Sequence, residues 1–252
     1  MNNSIVVMLK KECKCIVSQL SFWVNALLSC GVFIWIGSTA IVNTFKAFGQ
    51  ANTEMEIDVA ITIYQYTLIF YPLSLFMFIS FYMFNHIFVN EKITGQMEAL
   101  LTCPVSCRQI WIAKCLSILA LVYPFVVATM LVLILLVNYN CNIGTAYSTE
   151  LLLLCFILIP YLSFSIVSLL GIMSLLIKKV NVIQSIVFIF GFGTAFGGAY
   201  VIQVLIRKSS IVHSSELSNY ILIVLIACII IHVLLWILQK RTSRDTIVRT
   251  IC

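Results

Sequence analysis

Charge is the scarcest ingredient of this chain. Only 10% of its 252 residues are charged and 62% are hydrophobic, whereas a soluble domain carries roughly 25% charged residues. So few charges cannot coat a water-facing surface, and the surplus apolar area would form one large aggregating patch. A freely soluble domain is therefore excluded, and the excess must face lipid. Other absences narrow the chemistry. The chain has no G-x-x-x-x-G-K-[ST] phosphate loop, hence no nucleotide site of that type, and no G-x-S-x-G nucleophile elbow. Cys103 and Cys107 lack the second ligand pair that a zinc site needs. Ionisable residues are nearly missing from the apolar stretches, which leaves little for intramembrane proteolysis, proton coupling or an ion-conducting pore. There is no internal repeat, no low-complexity tract and no separate soluble domain.

What is present is six apolar runs: Phe22–Phe45, Ile61–Val89, Cys115–Val137, Leu151–Ile177, Val182–Ile206 and Tyr220–Leu238. Each reaches or approaches the about 20 residues that cross a bilayer as a helix. The expected fold is an all-α membrane protein, a single domain over 1–252. The first run is too long for a signal peptide's apolar core and no A-x-A site follows, so it reads as a retained span. Pro72 and Pro160 lie inside the second and fourth runs and predict kinks. Gly193 and Gly197, four apart in the fifth run, would admit a neighbouring helix closely.

The net charge of +6 does not point to nucleic acid, because the cations fall between the runs, where they report orientation. With the N-terminus in the cytoplasm, the inner segments hold Lys10, Lys11, Lys14, Lys92, Arg108, Lys114, Lys178, Lys179, Lys240, Arg241, Arg244 and Arg249, against Lys46, Arg207 and Lys208 outside. Both termini are expected to be cytoplasmic. Under that topology Cys141 alone of the ten cysteines is external, so no external disulfide can form within the chain. Ahead of the first run, Ser4–Leu20 sets Ile5, Leu9, Cys13, Ile16, Val17 and Leu20 on one side of a helix. Lys10, Lys11, Lys14 and Ser18 occupy the other, the pattern of a basic helix lying in the membrane interface.

The longest inner segment joins the second and third runs. Thr94 is placed to cap a short helix from Gln96 to Leu101, and Pro104 stops it. Met97, Leu100 and Leu101 present apolar groups beside Glu98, a shape suited to a groove on a partner. Ser106 then starts the next helix, with Arg108 and Lys114 anchoring its entry to the membrane.

Glu91, Gly95, Glu98, Leu100, Leu101, Pro104, Val105 and Ser106, with Lys114 after them, resemble the cytoplasmic signature of ABC-2 type transporter permeases, the membrane subunits of type-2 ABC exporters. Gln96 stands where that family often has Thr. The detailed match runs from Asn90 to Lys114, while the six-run layout and the basic amphipathic start extend it along the chain. The resemblance implies a coupling helix within 91–108 that seats in a cleft of an ABC ATPase subunit, with Glu91, Gly95, Met97, Glu98, Leu100, Leu101 and Pro104 at the contact. It implies two permease chains, alike or different, and two ATPase chains that carry ATP and Mg, so that this chain binds no cofactor and is not itself an enzyme. A multi-pass place in a cell membrane, that of a bacterium, follows. The nearly uncharged spans suit a hydrophobic or amphipathic substrate such as a peptide, an antibiotic or other drug, or a lipid-like compound. Tyr66, Phe70, Phe78 and His86 are the candidate path residues, although aromatic side chains of this kind also serve simply as packing and interfacial anchors. Two other readings stay open, a membrane anchor or sensor for a cytoplasmic partner and a substrate-binding subunit for vitamin uptake.

Overall fold

A computed structural model describes residues 3–49, 54–102, 105–141, 149–179, 181–186, 188–189, 193 and 216–241. The described residues contain no strand. Helix α1 (Asn3–Val17) precedes α2 (Leu20–Gly49) and α3 (Glu54–Phe84). A π-helical turn over Asn85–Asn90 leads into the single turn α4 (Glu91–Ile93) and then α5 (Gln96–Thr102). The long α6 (Cys107–Cys141) follows, then α7 (Thr149–Leu153), a second π turn over Leu154–Leu158, α8 (Ile159–Leu176) and α9 (Glu216–Arg241). Five stretches are long and apolar enough to cross a membrane: Leu20–Asn43, Ile63–Ile93, Cys107–Asn140, Thr149–Leu176 and Ile221–Lys240. This is the architecture of a multi-pass membrane protein. The expected fifth run, Val182–Ile206, lies largely outside the described residues, as does Gly197; residues 181–186 are helical, and no atom of the described residues lies within 4 Å of where a Cβ on Gly193 would stand.

The bundle is built around α3, against which α2, α6 and α8 pack, while α1 lies on α6 and α9 on α8. Its core runs from Phe22 and Ile41 in α2 through Tyr64, Leu68, Phe76 and Met83 in α3 to Ile118, Val122 and Leu133 in α6. Close approach of α2 to α3 depends on Gly37, where a Cβ would stand 2.6 Å from Tyr71 Cε1. Gly171 does the same for α8, since a Cβ there would meet Phe88, Cys115 and Trp111 at 3.1–3.2 Å.

The prolines work through neighbours. Pro72 sits within α3 and offers no N–H to Leu68 O; the Cys155 thiol donates to that carbonyl instead, at 3.3 Å. Pro160 opens α8 directly after the second π turn and leaves Phe156 O without its i+4 donor, a place filled by the Tyr123 hydroxyl at 2.9 Å. Freed backbone groups in a span must find such partners.

Two boundaries differ from expectation. The helix expected over Ser4–Leu20 ends at Val17, and Leu20 begins α2 as an exposed residue. The helix of the third run starts at Cys107, eight residues before Cys115. It therefore includes Lys114, whose charge is neutralised inside the bundle.

Candidate functional site

Three helices meet at the Lys114 ammonium. Lys114 lies on the buried stripe of α6 with Ile110, Ser117 and Ile118, and it has no exposed surface. A buried ammonium costs several kcal/mol unless it is paired and its donors are used. Here all three donors of the head group have acceptors: Glu91 Oε2 at 2.6 Å, Ile87 O at 3.2 Å and Glu12 Oε1 at 3.3 Å. The Phe88 ring adds a cation–π contact at 5.8 Å. The π turn supplies the carbonyl, because Glu91 N–H bonds to Phe88 O and leaves Ile87 O open to Lys114. Lys11, on the exposed side of α1, adds a second positive charge near Glu91. Beside Glu12, burial first and that carboxylate's charge second push the Cys13 thiol up, so it stays protonated.

The residue after Glu91 reaches the other way. Lys92 Nζ donates to Ser174 O at 3.1 Å and Ile177 O at 2.5 Å, carbonyls at the C-terminus of α8 that have no helical donor and favour a cation. The one turn of α4 is thus tied through Glu91 to α6 and α1, and through Lys92 to α8. These ties fix the root of α5.

A turn at Thr94–Gly95 connects root to helix, with Gly95 at φ +72°, a conformation that glycine adopts without strain. Thr94 does not cap α5, as its position had suggested. Its hydroxyl donates backward to Asn90 O at 2.9 Å and closes α4. Met97 is 2% exposed and belongs to the core, with Leu100 packed against that core. Met97 and Leu100, expected at a partner's groove, therefore face the membrane domain. A helix this short is held only by tertiary contact, and these two residues supply it. The outward edge is Gln96, Ala99 and Thr102. The side chains of Glu98 and Leu101, and Pro104 as a whole, lie outside the described residues.

Ser106 starts α6 as expected, through a reciprocal cap: Gln109 N–H bonds to Ser106 Oγ at 3.3 Å and Ser106 N–H to Gln109 Oε1 at 3.0 Å. Lys10, Lys11 and Lys14 occupy the exposed side of α1. Glu12 and Lys92 were missed as site residues. Glu12 had a readable signal, since it shares the inner side of α1 with Leu9 and Ile16.

The four path candidates do not converge. Tyr66 is buried among the helices, Phe70 and His86 are half-buried, and Phe78 is 38% exposed beside Phe33. A cavity of about 430 Å³ nearby is lined instead by Phe81, Asn85, Gln184, Ser185, Phe188 and Ile189. Asn85 donates to Phe81 O, while its Oδ1 is buried without a partner. Among the described residues, no group of three or more His, Cys, Asp or Glu side chains could hold a metal ion.

Comparison with protein-family models, with curated proteins and with solved structures finds no match to this chain.

Proposed function

We propose that this chain is the membrane-spanning permease of an ATP-driven exporter of the ABC-2 type, and that α5 transmits the work of a separate ATPase subunit. The observation that carries this reading is how the signature segment is seated. α5 lies at the end of the spans with Gln96, Ala99 and Thr102 turned outward, and its root is tied by Glu91 and Lys92 to α1, α6 and α8. A push on a loose loop would dissipate in the loop, whereas a push on this root reaches three helices at once. Closure of two ATPase subunits around ATP and Mg would drive two such permease chains between inward- and outward-facing packings.

In this reading Glu91, Met97 and Leu100 hold the coupling helix in place, and the partner is met by Glu98 and the outward edge. The parallel course of α8 and α9 supports a sixth crossing. Tyr161 meets His232, and Ser168 shares a cavity with Leu235 and Gln239, so both helices end on the same side. Both termini then lie in the cytoplasm of a bacterial cell. The apolar, nearly uncharged spans suit a hydrophobic or amphipathic cargo, and the Asn85 cavity offers it one polar contact.

Co-purification with a candidate ABC ATPase from the same organism tests the proposal. The wild type retains the ATPase, Glu98→Lys and Ala99→Trp release it without lowering the melting temperature, and the complex hydrolyses ATP faster with its cargo. Retention by both variants, or an ATPase that binds but never responds to any cargo, overturns it in favour of an anchor.

A further inference from the structure

A second cavity, of about 450 Å³, lies where α6, α8 and α9 meet, and it is lined by Trp111, Phe164, Ser168, His232, Leu235 and Trp236 among others. Its volume is in the range of small-molecule sites. Its walls are mostly aromatic and aliphatic, with polar groups that are nearly all occupied. Trp111 Nε1–H donates to Ser168 O at 3.0 Å. His232 Nδ1 lies 2.8 Å from Cys228 O, a carbonyl that only accepts, so that nitrogen carries the proton and Nε2 accepts from the Tyr161 hydroxyl at 3.0 Å. The Ser168 hydroxyl is the weakly held buried one. The residue is 3% exposed, it lines the cavity, and its side-chain partner is the Cys115 thiol, with no nitrogen or oxygen partner. Sulfur is a weak acceptor, so this buried hydroxyl is open to a stronger acceptor supplied from outside the chain.

The rim of the cavity carries the second clue. Trp236 is 59% exposed, and the exposed Lys240 ammonium sits 3.5 Å over its ring. Lys240 enters no ion pair among the described residues. A tryptophan beside a cation at the end of a span marks the level of lipid head groups, where a lysine attracts anionic lipid. The same end holds the start of α6 and the close of α9. From these features we infer that the cavity is a binding site for an anionic phospholipid. An acyl chain lies between Phe164, Leu235 and Trp111, Ser168 Oγ–H donates to an ester carbonyl, and the phosphate rests against Lys240. The inference needs only that the chain be embedded in a bilayer, and it stands apart from the transport reading.

Native mass spectrometry of the detergent-released full chain tests it, with dioleoyl phosphatidylglycerol or dioleoyl phosphatidylcholine added in equal amount. The wild type is expected to retain one phosphatidylglycerol with a several-fold preference. Lys240→Gln, a change at an exposed residue, abolishes the preference, while Lys178→Gln, which removes another exposed cation, preserves it. Ser168→Leu fills the cavity and removes retention of both lipids from protein with a wild-type melting profile. Equal retention of the two lipids by the wild type, an unchanged preference in Lys240→Gln, or full retention by folded Ser168→Leu each overturns the inference. If Ser168→Leu does not fold, the two lysine variants decide it.

Discussion

Helices α3 and α9 invert the usual relation between apolarity and burial. The span in α9 has a mean hydropathy of 3.3 and only 11% of it is buried, whereas the span through α3 has a mean hydropathy of 1.8 and is 67% buried. In water the more apolar helix would be the inner one. In a bilayer the outer helix must match the hydrocarbon, because an exposed polar group there has no partner. The inner helix is shielded by protein and can carry Thr67, Ser74 and Ser80 and end in Glu91 and Lys92. Polarity is therefore a mark of depth in this fold, and the charge cluster at Lys114 is its extreme case. Helix α2 departs from the relation, with a mean hydropathy of 1.7 and 28% burial. Cover by the proposed second permease chain would account for that.

The contrast can be broken most severely at the cluster. Lys114→Met leaves Glu12 and Glu91 buried with no cation between them, and it should cost about 3–5 kcal/mol, read as a fall in the melting temperature in detergent. Combining it with Glu12→Gln and Glu91→Gln should recover most of that loss, since the neutral set needs no charge pairing. Next comes Leu68→Ala in the interior of α3, expected to cost about 2–5 kcal/mol as a cavity among protein atoms. Gly37→Ala forces a Cβ against the Tyr71 ring and should cost about 1–3 kcal/mol, while Gly31→Ala in the same helix, with nothing within 4 Å, should be silent by the same melting assay. Tyr123→Phe removes the donor to the carbonyl that Pro160 leaves open, a loss of about 0.6–1.7 kcal/mol on the scale of hydrogen bonds inside membranes. The smallest effect belongs to α9. Ile230, 56% exposed, should tolerate Ala within about 0.5 kcal/mol, because lipid closes over the gap.

The helical class and five of the six expected spans, recovered nearly whole, were legible because apolar runs bounded by Lys and Arg leave a bilayer few alternatives. Depth was less so. α3 is apolar on every side, and such a helix reads alike whether lipid or protein surrounds it. Lys114 was counted as a charge that reports topology, although its spacing from Ile110, Ser117 and Ile118 places it on a buried stripe. Its acceptors come from positions 102, 27 and 23 residues away, and no local pattern reveals such a meeting. Lys92 meets Ser174 across 82 residues and was illegible for the same reason. The shape of α5 was readable, but its apolar edge did not say whether the partner or the membrane domain would cover it. The aromatic residues of α3 were legible as a set, yet their spacing winds around the helix, so Tyr66 turns inward and Phe78 outward.

The central claim is that Glu91 acts by holding Lys114 and thereby the root of α5, and that it makes no contact with the partner. The most direct test is ATPase captured per permease for Glu91→Gln, Lys114→Met and the two combined with Glu12→Gln. If Glu91 is a positioning residue, the neutral triple variant captures the ATPase better than Lys114→Met alone and close to the wild-type level. If the triple variant folds and captures no more than Glu91→Gln or Lys114→Met alone, Glu91 meets the ATPase itself and the account is contradicted.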